Sequence, residues 1–269
     1  MMITIITVSF NAEAHIKRTV RSILSQTSEK FEFLLIDGAS KDNTVAIVRN
    51  EVETIDNPRC RFHCVSEKDN GIYDAMNKGA RLATGDFIIY MNVGDSFFSA
   101  DVIVRFEACM KKHPGYDAYY GNTMMDFYEG RGVLHDNEEC NRNPIMPFIH
   151  QSIIVKKKWL IEHPFDYSYK VCADFEFFYY MRQHGAGFHY EPFIVSIYDA
   201  KEGMSENNPL QIRYDKDRIL GIDKRSLYWL RKIKLQCTVG LIQPIKDIAP
   251  RWLLNKYFRK KKSYINWID

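Results

Sequence analysis

Ile3-Thr4-Ile5-Ile6-Thr7-Val8-Ser9-Phe10-Asn11 and, further on, Phe31-Glu32-Phe33-Leu34-Leu35-Ile36-Asp37-Gly38 decide the architecture. Each is a short apolar run, rich in β-branched or aromatic residues, that stops at small polar residues. Between them Ile16, Val20, Ile23 and Leu24 recur at helical spacing. Such runs predict buried strands and the spacing predicts a helix joining them. Working outward, the pattern repeats. Ser40 is placed to cap a helix through Val45 and Val48 towards Val52, Arg61 to Val65 reads as a third strand, and Ile72 to Ala83 as a third helix. Asp86 to Met91 is a fourth strand closing on Asn92, Val93, Gly94 and Asp95. Strands alternating with helices of this length predict an α/β fold with a mainly parallel sheet and right-handed crossovers.

After Asp95 the rhythm changes. A helix is expected over Asp101 to Lys112, a strand over Ala118 to Asn122 and its hairpin partner over Asp126 to Leu134. Phe148 to Val155 reads as a strand, Lys157 to His163 as a short helix, Ala173 to Gln183 as a helix ended by Gly185, and Phe188 to Tyr198 as a last strand. This second half is mixed rather than doubly wound. The expected organisation is residues 1–98 and 99–222 as two halves of one domain, followed by 223–269 as a basic, amphipathic, helical tail.

With 269 residues, 46% of them apolar and 14% aromatic, the chain can bury a large core. No apolar run reaches the roughly 18 residues of a spanning helix, and the opening residues lack a signal-peptide pattern. Six cysteines without a CxxC pair argue against a zinc ribbon or a disulfide framework and fit a reducing cytosol. The net charge of +3 conceals an asymmetry: Arg225 to Lys262 holds eleven Lys and Arg against one acid, Asp247, so the remainder carries a net −7. A basic tail on an acidic body points to an anionic partner.

In open parallel sheets ligands bind beyond the carboxyl ends of the strands. Those turns carry Thr7, Ser9 and Asn11 after the first strand, Asp37 after the second, and Asn92 and Asp95 after the fourth. Neither GxGxxG nor GxxxxGK[ST] occurs, which excludes a glycine-rich phosphate cradle and leaves nucleotide binding to side chains.

Four segments, in order, resemble the family 2 glycosyltransferases of the GT-A fold, in particular bacterial members of capsule and exopolysaccharide synthesis. They are Thr7-Val8-Ser9-Phe10-Asn11, Leu35-Ile36-Asp37-Gly38-Ala39-Ser40-Lys41-Asp42-Asn43-Thr44, Ser66 to Gly79 (SEKDNGIYDAMNKG), and Ala83-Thr84-Gly85-Asp86 leading to Met91-Asn92-Val93-Gly94-Asp95. The likeness continues more loosely to about Ser205. It implies a Rossmann-like nucleotide-binding half and a mixed acceptor-side half.

The resemblance also implies roles. Asp37 is similar to the family's base-binding acid, with Thr7, Ser9 and Asn11 lining the same pocket; the plain alternatives are a turn aspartate beside Gly38 and, for Asn11, the N-cap of the first helix. Lys68, Asp69, Asn70, Gly71 and Asn77 are implied donor contacts, against the alternative of a solvated helix face shared by Asp74 and Asn77. Asp95 stands where the family has the last acid of its DxD motif, the ligand of a divalent cation, Mg²⁺ or Mn²⁺, while Asn92, Val93 and Gly94 replace the expected first acid, with Asn92 able to ligate or to orient Asp95. Asp174 resembles the catalytic base, Glu176 being the alternative, with His150 and Gln151 on the acceptor side. Gly203-Met204-Ser205 resembles a loop that closes over the donor.

These roles imply an inverting transfer from a nucleotide-diphosphate sugar to a saccharide, expected to be lipid-linked. The rivals are a degenerate nucleotide-sugar-binding scaffold in a membrane assembly, motivated by the missing first acid and by the basic tail, and a nucleotidyltransferase. The tail is expected to hold the enzyme on the cytoplasmic face of the plasma membrane through anionic lipid, or else to pack on the domain or on a second copy of the chain. Nucleic acid is not an expected partner, since no binding motif accompanies the charge.

Overall fold

The computed structural model describes residues 1–128, 130–134, 146, 148–201, 208–224, 228–237 and 265–268. Gly203 to Ser205 and most of the basic tail lie outside the described residues.

The nucleotide-side half is β1 (Ile3–Ser9), α1 (Ile16–Leu24), β2 (Phe31–Asp37), α2 (Thr44–Ile55), β3 (Cys60–Ser66), α3 (Ile72–Leu82) and β4 (Phe87–Tyr90). Then come β5 (Ser96–Phe97), α4 (Val102–Lys112), β6 (Ala118–Phe127), β7 (Gly130–Leu134), a 3-10 turn (His150–Ser152), β8 (Ile153–Lys156), α5 (Lys157–Glu162), α6 (Ala173–Gln183) and β9 (Phe188–Asp199). The chain closes with α7 (Pro209–Ile219) and β10 (Ile265–Ile268). One mixed sheet runs β10-β7-β6-β8-β4-β1-β2-β3, with β9 beside β6 and β5 beside β9. The β4-β1-β2-β3 portion is parallel, and β8 joins β4 antiparallel, so both halves share the sheet.

The period-2 alternation of each strand sorts its side chains into two cores. Ile3 and Ile5 of β1 and Phe31, Phe33 and Leu35 of β2 pack with α1, α2 and α4. Ile6, Val8, Leu34 and Ile36 face the opposite way, onto α3, α5 and α6. Because β2 and β4 flank β1 and connect outward in opposite directions, β1 marks the switch point where a ligand crevice opens.

Several expectations are corrected. Ser40 does not cap α2, which begins at Thr44; its hydroxyl turns back to the Asp37 carboxylate instead. Asn11 is not an N-cap either, since α1 starts at Ile16. β6 runs on through Phe127 and β7 begins only at Gly130, so Asp126 belongs to β6. His150 and Gln151 lie on a 3-10 turn rather than a strand, closed by the Ser152 N–H donating to the Ile149 carbonyl. The tail is not wholly helical: β10 pairs antiparallel with β7, and Trp267 packs on Phe127 at 5.5 Å between ring centroids. The helix 228–237 docks through Arg231, whose guanidinium holds both Asp217 carboxylate oxygens at 2.7 Å.

Candidate active site

The parallel register aligns Ser9, Asp37 and Ser66 at the ends of β1, β2 and β3. The buried Asp37 carboxylate accepts from the Ser9 hydroxyl at 2.9 Å, the Ser66 hydroxyl at 2.6 Å, and the Ser40 N–H and hydroxyl at 2.9 and 2.5 Å. Burial alone would raise its pKa, but these donors outweigh it and hold the carboxyl below its ordinary value. Asp37 therefore does organise the turn beside Gly38.

Asn11 and Ala39, both at positive φ, face each other across this turn. The Asn11 side-chain oxygen accepts from the Lys41 N–H at 2.9 Å and its own N–H donates to the Ser40 hydroxyl. Two non-glycine residues in the left-handed region, each costing on the order of 1 kcal/mol or more, mark a turn held in shape by its surroundings. Gly38 permits a close approach here: a Cβ would lie 2.6 Å from an Asp69 carboxylate oxygen. The Lys68 to Gly71 segment thus forms one wall of the turn, with Asp69 accepting from the Gly71 N–H and the Asn70 amide bonded to Asp74. Thr7 is fully buried, its hydroxyl donating to the Met91 carbonyl, and so links β1 to the end of β4.

After β4 the chain turns through Asn92-Val93-Gly94-Asp95, with Gly94 at φ +94° and the Asp95 N–H donating to the Asn92 carbonyl at 3.1 Å. The Thr19 hydroxyl of α1 clamps this turn, donating to the Asp95 carbonyl and accepting from the Gly94 N–H. One Asp95 carboxylate oxygen accepts from the Asp199 N–H at 2.9 Å and the other from the Gln151 amide. Burial dominates here and pushes the carboxyl up to about 7, against the pull of those donors and of His150.

The other wall carries Asp174 at the start of α6. Its carboxylate lies 3.3 Å from His150 Nδ1, accepts from the Phe175 N–H at 2.8 Å, and is 3.3 Å from the Tyr73 hydroxyl, which itself donates to the Val171 carbonyl. Burial would raise this carboxyl, but His150, the Phe175 N–H and Tyr73 outweigh it and hold it below its ordinary value. His150 Nε2 meets the Asn92 amide nitrogen at 2.9 Å. The same ring thus spans from the Asn92 amide through Nε2 to the Asp174 carboxylate through Nδ1. Behind Asp174, the Asp215 carboxylate of α7 accepts from the Val171 and Cys172 N–H groups and fixes the chain entering α6.

These groups line one cavity of about 320 Å³: Asn92 and Asp95 on one side, Asp174 and Tyr73 on the other, His150 and Gln151 bridging them, Asp199 and His15 at the edge. The Asp37 turn lies two strands over, roughly 10 Å away at the usual strand spacing. Two expected residues stand apart. Asn77 is buried in α3, its amide donating to the Phe165 carbonyl at 2.8 Å and accepting from the Phe165 N–H at 2.9 Å. Glu176, two residues from Asp174 and so on another face of α6, meets His163 at 3.1 Å. Sequence reasoning missed Asp199 and Tyr73. Asp199 had a signal, being an acid at the end of β9, whereas Tyr73 resembles any aromatic on a helix face.

A hard divalent cation wants oxygen donors. The side-chain oxygens of Asn92 and Gln151 are buried beside Asp95 with no hydrogen-bond partner, an arrangement costly unless something electropositive meets them. With Asp95, and Asp199 adjoining, the donor set fits such an ion.

Residues 4–171 match the family described as Glycosyl transferase family 2. The chain belongs to that family. A PGL/p-HBAD biosynthesis glycosyltransferase of Mycobacterium tuberculosis is 32% identical over 180 residues, covering 65% of this chain and 68% of the relative. The GalNAc(5)-diNAcBac-PP-undecaprenol beta-1,3-glucosyltransferase of Campylobacter jejuni is 23% identical over 169 residues, covering 60% of this chain and 53% of the other. Among solved structures, the mannosyltransferase PcManGT from Pyrobaculum calidifontis, in complex with GDP-Man and Mn²⁺, superposes with a TM-score of 0.65 at 16% identity, covering 97% of this chain and 81% of the other. S. aureus TarS 1-349 with UDP-GlcNAc gives 0.64 at 17%, covering 87% and 70%. The glycosyltransferase thus has the GT-A architecture. Among its described residues, no helix is long and apolar enough to cross a membrane.

Proposed function

We propose that this glycosyltransferase works by inversion, moving a sugar from a nucleotide-diphosphate donor to a saccharide, lipid-linked in the cell, with a divalent cation at Asp95. The observation that carries the reading is the pair of carboxyls in one cleft, Asp174 held ionised and Asp95 beside partnerless oxygens, bridged by consecutive residues of one turn. Asp174 accepts the proton of the acceptor hydroxyl. That oxygen bonds to the anomeric carbon from one face while the bond to the diphosphate oxygen breaks on the other, its electron pair leaving with the diphosphate. His150 positions Asp174 through its Nδ1 contact.

Asp95, Asn92 and Gln151 would hold the cation, which supplies charge neutralisation for the diphosphate. Asp37 and the Ser9 and Ser66 hydroxyls, which rotate freely enough to exchange one donor for a ring N–H, take the nucleobase, with Asn11 shaping the turn and Lys68 to Gly71 along its wall. Asn77 acts at a distance, through Phe165. Against the scaffold rival, Asp199 and two partnerless amide oxygens offer further oxygen donors around Asp95. A lipid-linked acceptor is supported by the undecaprenol in the C. jejuni relative's name and by the basic tail.

The test is a panel of nucleotide sugars with Mn²⁺ or Mg²⁺, read first as thermal stabilisation and then as the anomeric configuration of the product by NMR. An α-linked donor should yield a β-linked product. Retention would refute the single displacement.

A further inference from the structure

Far from the cleft, a second set of metal-ligating side chains converges. Cys109 lies in the last turn of α4 and His113 caps its C-terminus four residues on, which places them on one side of the helix. His189 and Glu191 lie two apart near the start of β9 and so share a face of the strand. The helix and strand pack together through Phe106 against Phe193, 5.1 Å between ring centroids. One Glu191 carboxylate oxygen is 3.4 Å from Cys109 Sγ, 3.2 Å from His189 Nε2 and 3.9 Å from His113 Nε2. The Cys109, His189 and Glu191 ligand atoms all lie within 4.8 Å of one another. Ligand atoms around a tetrahedral zinc ion, at bonds of about 2.0–2.3 Å, stand roughly 3.3–3.8 Å apart.

We propose that Cys109, His189 and Glu191 bind one zinc ion that fastens the end of α4 to the start of β9. A thiolate with an imidazole and one carboxylate selects zinc over the hard Mg²⁺ or Mn²⁺ suited to Asp95. The sites do not overlap: β9 runs from His189 and Glu191 at one end to Asp199 at the other, roughly 26 Å from Glu191 at the rise of a strand. Three protein ligands leave one position for water, and at this distance from the cleft the ion acts in stability and not in the transfer. On binding, the Cys109 thiol releases its proton to water and the sulfur–zinc bond replaces its hydrogen bond to Glu191.

The full chain, stripped with chelator and desalted, is titrated with Zn²⁺ and, in parallel, with Co²⁺. One tight equivalent of zinc is expected by elemental analysis after gel filtration, and the cobalt form should show a thiolate charge-transfer band. Cys109→Ser should abolish that band, and His189→Ala should weaken zinc at least about tenfold, the low end of what even an outer-sphere partner contributes. Cys237→Ser and Asp95→Ala should leave both signals unchanged. Should the variants fail to fold, the wild-type protein decides the matter, one zinc equivalent being retained and the cobalt form showing the thiolate band. No retained zinc, no thiolate band in the wild-type cobalt form, or an undiminished band in Cys109→Ser would overturn the site.

Discussion

Asp95 and Asp174 face the same cavity, and their surroundings drive them in opposite directions. Burial prevails at Asp95 and raises it from 3.8 to about 7; the donors prevail at Asp174 and lower it. The two signs give two predictions. Without cation, folded Asp95 keeps its proton up to about 7 while the unfolded chain releases it near 3.8, so stability falls as pH rises between those values and the loss is complete above the upper one. Melting curves at the two ends of that window should show the fall in wild type and a smaller one in Asp95→Asn. Equal falls in both proteins would remove Asp95 as the cause. Asp174, by contrast, stays ionised below the ordinary carboxylate range. At saturating cation, kcat/KM should therefore hold level down to about pH 5 rather than decline through neutrality. A decline through neutrality would contradict Asp174 as the base.

At the scale of elements, legibility depended on whether partners lie along the chain or across it. The strands β1 to β4 and helix α6 were legible, because period 2 and period 3.6 are local signals. Asp37 and Asp95 were found from their places at strand ends, and Asp174 only through the family resemblance, since it starts helix α6. The saturation of Asp37 by Ser9 and Ser66 was not, because it follows from the β1–β2–β3 register. Asn77 was misplaced onto a polar face with Asp74. It turns inward, since both ends of its amide meet the Phe165 backbone 88 residues away, a partner no helical wheel displays. Asn77→Ala strips both Phe165 backbone groups of their partner and should lower stability by about 1–3 kcal/mol in urea titrations. Nucleotide affinity should change little. A large loss of affinity with stability intact would restore Asn77 to the donor site.

The whole molecule joins a parallel half to a mixed half through the β4–β8 pairing, so that the Asp95 turn after β4 and Asp174 at the start of α6 reach one cleft from the two halves. The helix 228–237 is pinned to α7 through Arg231 while Trp229, Leu230 and Ile233 stay largely exposed, a face suited to a lipid headgroup boundary. Full-length protein should float with anionic vesicles at low salt better than protein ending at Lys224. Equal flotation would leave the exposed face to another copy of the chain.

The central claim, that Asp174 removes the acceptor proton in a cleft whose donor side is independent of it, is tested most directly by Asp174→Asn with donor affinity and turnover measured on one preparation. Donor affinity should stay within about twofold while turnover falls by about two to four orders of magnitude, the range for losing a general base. Turnover retained within a factor of about ten, with donor binding intact, would contradict it.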